Sequence, residues 1–78
     1  MEELLGSILL LPYNFAPQGT FFCDGRLLPI AQYTALFSLL GTTFGGDGRS
    51  TFALPKMTAP AAGLHYVICW QGIFPSRP

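Results

Sequence analysis

Leu64-His65-Tyr66-Val67-Ile68-Cys69-Trp70 is the run on which the fold turns. It is dense in β-branched and aromatic side chains, which suit a pleated strand. Leu64, Tyr66, Ile68 and Trp70 fall on one face, and His65, Val67, Cys69 and Gln71 on the other. Both faces are largely apolar, whereas an antiparallel strand at a monomer's surface alternates apolar and polar residues. The run therefore reads as a strand covered on both sides.

The nearest candidate for its neighbour is residues 4–11, mostly apolar and stopped by Pro12. Pairing of the two would bring the chain ends together. Asn14-Phe15-Ala16-Pro17-Gln18-Gly19 is turn chemistry, with Pro17 fixing φ and Gly19 permitting a positive one. Residues 20–23 read as a short second strand, Asp24-Gly25 as a tight turn, and 26–28 as the returning partner of a hairpin. Residues 29–40 read as a helix. Pro29 suits its first position, Gly41 its end, and Ile30, Tyr33, Leu36, Phe37 and Leu40 form one apolar stripe. Leu28, at the N-cap position, offers no side-chain acceptor. A glycine-rich loop over 42–50, a short extended stretch over 51–54 and a Pro/Ala linker over 55–63 complete the chain. The expectation is an α+β domain spanning residues 1–78: a small, mainly antiparallel sheet with one helix packed on it and glycine-rich loops.

Composition bounds the function. Only eight of 78 residues are charged (Glu2, Glu3, Asp24, Arg26, Asp47, Arg49, Lys56, Arg77), and half are hydrophobic. A domain this small has a thin core and a large surface relative to its volume. So few charges cannot cover that surface, and monomers rarely leave large contiguous apolar patches bare. A membrane span is not expected, because it needs about 20 apolar residues and the aliphatic run 8–11 closes at Pro12. A secretory signal is not expected either, since Glu2 and Glu3 stand where such a signal carries positive charge. Four scattered basic residues at zero net charge make no phosphate-binding patch, so no nucleic-acid partner is expected. Contact with other protein is left to absorb the apolar excess.

Chemistry is sparse. His65 and Cys69 share a strand face but stand roughly 13 Å apart at strand rise. Cys23 could approach His65 in space, yet no third group supports a nucleophile there. The plain reading is a packed histidine and buried thiols, with a Cys23–Cys69 bridge, worth about 4 kcal/mol in the chain-entropy account, left open. Cys23, Cys69 and His65 lack metal-ligand spacing. Gly45-Gly46-Asp47-Gly48 lacks the Lys-Ser/Thr of a phosphate loop and the oxygen ligands of a calcium loop, so a reverse turn bonded by Asp47 is the better reading. No catalytic residue, cofactor or metal is assigned.

One pattern is specific. Phe22-Cys23-Asp24-Gly25, Leu28, Tyr33, Leu36-Phe37, Gly41-Thr42, Phe44-Gly45-Gly46-Asp47-Gly48 and Thr51-Phe52-Ala53-Leu54-Pro55 together resemble the phage tail collar domain. The likeness is to the version found in the microcystin-dependent protein family. Asn14-Phe15-Ala16-Pro17 and the ending Tyr66-Val67-Ile68-Cys69-Trp70-Gln71-Gly72-Ile73-Phe74-Pro75-Ser76-Arg77 extend it to nearly the whole chain. Thr20 departs from the usual Trp, and 56–62 replaces an Asp-Leu-Arg-Gly run and a long variable region. The chain thus resembles a collar core without its exposed insert.

The resemblance implies a structural, non-enzymatic subunit of a virion tail or extracellular appendage. Its expected partners are identical copies, in a trimer or a helical filament, and other tail or appendage proteins. The missing insert and weakly charged surface favour the filament. The strand faces and tail nominate Leu9, Leu11, Tyr66, Ile68, Trp70 and Phe74 as the assembly interface. Both ends are expected to be ordered against a neighbour, with Glu2, Glu3 and Arg77 steering end-to-end contact. A receptor- or glycan-binding tail-fibre module, using Trp70 or Tyr13, and a Cys-dependent enzyme are the alternatives.

Overall fold

The computed structural model describes residues 3–75. Its elements in chain order are β1 (Ile8–Leu11), β2 (Thr20–Phe22), β3 (Leu27–Pro29), a single 3₁₀ turn (Ile30–Gln32), α1 (Thr34–Leu40), β4 (Thr51–Ala53) and β5 (His65–Cys69). They form an antiparallel three-stranded sheet in the order β1-β5-β2 and an antiparallel pair β3-β4, giving an α+β fold.

β5 is central, as its doubly apolar pattern predicts. Its register sets Ile8 opposite Ile68, Leu9 opposite Val67, Leu10 opposite Tyr66 and Leu11 opposite His65. On its other side Thr20, Phe21 and Phe22 oppose Cys69, Ile68 and Val67. Paired residues share a face, so Ile68, Tyr66 and Phe21 point one way. That face meets the core of Leu5, Cys23, Leu28, Leu36, Phe52 and Leu54, with Phe21, Tyr66 and Trp70 packed at its margin. Val67 and Cys69, on the opposite face, are equally buried.

The N-terminal run does join β5, but not as one strand over 4–11. Gly6, at φ +85°, occupies a tight turn in which the Ser7 N–H donates to the Leu4 carbonyl. Cys69 then faces two residues at once: its carbonyl accepts from the Gly6 N–H and its N–H donates to the Ser7 carbonyl. This is a G1-type β-bulge, and it separates Leu4 from β1. Leu4 instead bridges Ile73 in parallel, with the Leu5 N–H donating to Ile73 O (2.7 Å) and the Ile73 N–H to Glu3 O (3.0 Å). The expected meeting of the two ends is realised there.

Two local readings are corrected. The Asp24-Gly25 turn does not return a hairpin onto β2; β3 pairs with β4, Leu28 opposite Phe52. The Asp24 carboxylate accepts the backbone N–H of Arg26 and holds its guanidinium at 2.8 Å, which turns the chain out of the first sheet. The backbones of Asp24 and Lys56 also meet in an isolated antiparallel β-bridge. The helix is not continuous from Pro29 either. Pro29 ends β3, and the chain breaks at Tyr33 (φ −132°, ψ 45°) between the 3₁₀ turn and α1. The Ile30 N–H donates to Ser50 O, which ties the start of the 3₁₀ turn to the second-sheet side of the molecule. The Tyr33 ring lies edge-on to Phe21 and Trp70 at 5.6 and 5.5 Å, fixing the break. The apolar stripe survives it: Leu36 is buried, and Ile30, Tyr33, Phe37 and Leu40 pack against the core. The Gly41 N–H donates to Phe37 O and closes the helix where the sequence puts its end.

The loop over 42–50 folds back onto β4. A Cβ on Gly46 would collide with the Phe52 backbone and stand 2.7 Å from Thr51 O, and its φ of +93° disfavours any side chain. Gly46→Ala should therefore destabilise the protein by about 2 kcal/mol or more, while exposed Thr43→Ala should stay within about 0.5 kcal/mol. Urea unfolding midpoints of the two variants check this.

Candidate assembly surface

Cys23 and His65 line one cavity together with Asp24, Lys56 and Tyr66, and the cysteine itself is buried. Cys23 and Cys69 are both free and both buried. Burial, with a smaller contribution from Asp24, pushes the Cys23 thiol up to about 11. Burial, then Glu3, raises Cys69 as well. The His65 ring packs against Phe22 at 5.4 Å. Among the described residues no cluster of three or more His, Cys, Asp or Glu side chains could hold a metal ion. Nor is any helix among them long and apolar enough to cross a membrane.

Asp47 spends its carboxylate on its own loop. Oδ1 accepts the N–H groups of Arg49, Ser50 and Thr51 at 2.8, 2.9 and 3.0 Å, and Oδ2 accepts the Ser50 hydroxyl at 3.1 Å. Those donors hold the carboxyl well below its ordinary range. A carboxylate saturated by its own backbone has little left for a cation, and the glycines here serve the turn.

The surface is the informative part. Ile8 and Leu10, on the edge strand β1, are 41% and 40% exposed, and Leu4, Ile73 and Phe74 beside the joined ends are each about half exposed. Just beyond β1, Tyr13 and Phe15 are exposed and stacked on each other at 5.3 Å. These residues all border β1 in sequence or across the Leu4–Ile73 bridge.

The six residues nominated from sequence do not form one surface. The register puts Leu9 and Leu11 on the face of Val67 and His65, and Tyr66 and Ile68 on the other. Ile68 is wholly buried in the chain's own core, so it is withdrawn from any interface. Tyr66 and Trp70 are half-buried against that core, Trp70 lying on Phe21 at 5.7 Å and meeting Tyr33 edge-on. Leu9 and Leu11 are half-buried, and Phe74 is exposed. The exposed residues Ile8, Leu10, Leu4 and Ile73 were not among those nominated from sequence. The signal for the last two was the Gly6 turn, which ends the first run early; for Ile8 and Leu10 no signal exists in a run of four consecutive aliphatic residues. The expected ordering of the extreme ends, and steering by Glu2 and Arg77, lie outside the described residues.

Compared with known families, residues 6–61 match the family model of the Phage Tail Collar Domain. The match takes in β1 to β4 and ends before β5. Among curated proteins no match is found.

Two measurements follow from the buried thiols and the Asp47 loop. At neutral pH a thiol reagent should label native protein far more slowly than unfolded protein, which releases both cysteines; mass spectrometry over time reads this. A carboxyl held below its ordinary 3.8 stabilises only while ionised, so its contribution is complete above that pH and fades as pH falls below it. Acid titration of stability should show this loss in the wild type and a flatter profile in Asp47→Ala, which is also the less stable at neutral pH.

Proposed function

We propose, from the fact that the chain belongs to the phage tail collar domain family, that it is a structural subunit which self-associates as part of a phage-type tail fibre or related appendage. The family supplies the structural, phage-tail character of the role. Self-association is the finer reading, and one observation carries it: among the described residues ten large hydrophobic side chains stand exposed, on a chain with only eight charged residues. Free monomers rarely leave large contiguous apolar patches open to water, and Leu4, Ile8, Leu10, Ile73 and Phe74 gather around one edge. Identical copies offer the simplest cover, since each carries the same excess. A contact that fails to close by rotation propagates into a filament, and one that closes gives a ring. Loss of the variable insert leaves little to hinder stacking, which favours the filament.

The residues weighed for glycan stacking support this reading over receptor binding. Trp70 is committed to Phe21 and Tyr33 inside the chain, so of the two nominated rings only Tyr13 is free to meet a ligand. Electron microscopy and sedimentation velocity on the purified protein test the proposal. Fibres or discrete oligomers are the expected outcome. A freely soluble monomer at high concentration overturns it.

A further inference from the structure

β1 is an edge strand, and its hydrogen-bonding phase is fixed. The bulge ties Cys69 to Ser7. On the far side of β5, the Trp70 N–H donates to Gly19 O and the Cys23 N–H donates to Tyr66 O. Residues 65, 67 and 69 of β5 therefore address β1, and 66, 68 and 70 address β2. Opposite them, Leu9 and Leu11 bond inward to Val67 and His65. The N–H and C=O groups of Ile8 and Leu10 point away from the sheet. Among the described residues no strand lies on that side.

Such an edge is a template for another strand, and proteins usually blunt it with a charge, a proline or a bulge. Here the bulge at Gly6-Ser7 and Pro12 lie at the two ends of β1, and nothing guards the four aliphatic residues between them. The nearest described charges in sequence are Glu3 and Asp24.

We propose that β1 pairs antiparallel with β1 of a second copy, about a two-fold axis through Leu9. The register is self-complementary. With Leu9 opposite Leu9 of the second copy, Ile8 falls opposite Leu10 and Leu10 opposite Ile8. Every outward N–H and C=O of these two residues then meets a partner of the right kind. The ladder cannot extend past Pro12, which has no N–H to give. The same pairing lays the exposed Ile8 and Leu10 side chains against their counterparts and joins two three-stranded sheets into one. It is an isologous contact, closing on itself, so a fibre built with it uses a second, different contact to propagate. The inference rests on the self-association proposed above and names one of its interfaces.

Two variants test it in the full chain. Leu10→Pro removes an outward N–H while leaving the ladder to β5 intact, a position where an edge strand tolerates proline. It should retain a cooperative unfolding transition and weaken association by roughly tenfold or more. Leu10→Lys provides the same test by charge should the proline variant not fold. Leu9→Cys places two sulfurs across the axis at cross-strand spacing, within disulfide reach. Mild oxidation should convert it to covalent dimer, while Thr43→Cys in the exposed loop should not crosslink. If the wild type associates, yet a folded Leu10 variant associates equally well and Leu9→Cys fails to crosslink, the β1 contact is wrong and self-association stands. If the wild type is monomeric at high concentration, both fall.

Discussion

The whole structure depends on β5 being bonded along both edges and covered on both faces. Val67 and Ile68 point in opposite directions, and neither is exposed. A strand in that position spends all its backbone donors and acceptors, so its neighbours are not optional. β1 and β2 must flank it, the helix side must cap Ile68, and the chain ends must meet where β5 exits. The bulge at Gly6-Ser7 belongs to the same requirement. It lets the N-terminal segment turn off β5 at Cys69 and hand its last bonds to Ile73.

That arrangement leaves a particular deficit. The core cluster lies on one side of the three-stranded sheet and is shared with the β3-β4 pair. One seven-residue helix and one 3₁₀ turn cannot also shield the β1 margin. Ile8 and Leu10 lie on the core-facing side of the sheet, yet they sit too far out along it to be covered. Their exposure is no flaw in the pattern. A collar core without a long insert has no further segment among the described residues to lay over this edge.

The sequence made the sheet's centre legible because β5 is apolar at both parities, a signature that only double coverage explains. It made the helix face legible because Leu36, Phe37 and Leu40 keep their spacing whether the preceding turn is α or 3₁₀. The hairpin at Asp24-Gly25 was misread for a physical reason. Turn chemistry shows that a chain bends, and only the Arg26 clamp on Asp24 and the bridge to Lys56 set the direction. Which side chains of the first strand stand exposed was not legible because 8–11 is aliphatic at every position. Such a run carries no phase, and phase was set by a bulge whose Gly6 looks like any other strand breaker. Ile68 was drawn into the nominated surface by its hydrophobicity, the same property that sent it to the core.

Charge is distributed to match. Apart from Glu3, the described charged residues sit at 24–26, 47–49 and 56, on the segments around the β3-β4 pair. There Asp24 and Arg26 pair with each other, Arg26 also lies over the Phe21 ring, and Asp47 is consumed by its loop. None of these charges lies within 4–15, the segment that forms the free margin. The described charges therefore gather around the second sheet, beside exposed Leu27, Phe44 and Met57, while the edge of the first sheet carries none. The fields of the exposed charges around the second sheet fall off within about 10 Å at ordinary salt. The margin lies on the other sheet, where nothing of the kind opposes contact. Water must be shed from Ile8 and Leu10, and doing so is favourable. The contrast between a charged second sheet and an uncharged edge of the first thus gives the molecule's surface a direction.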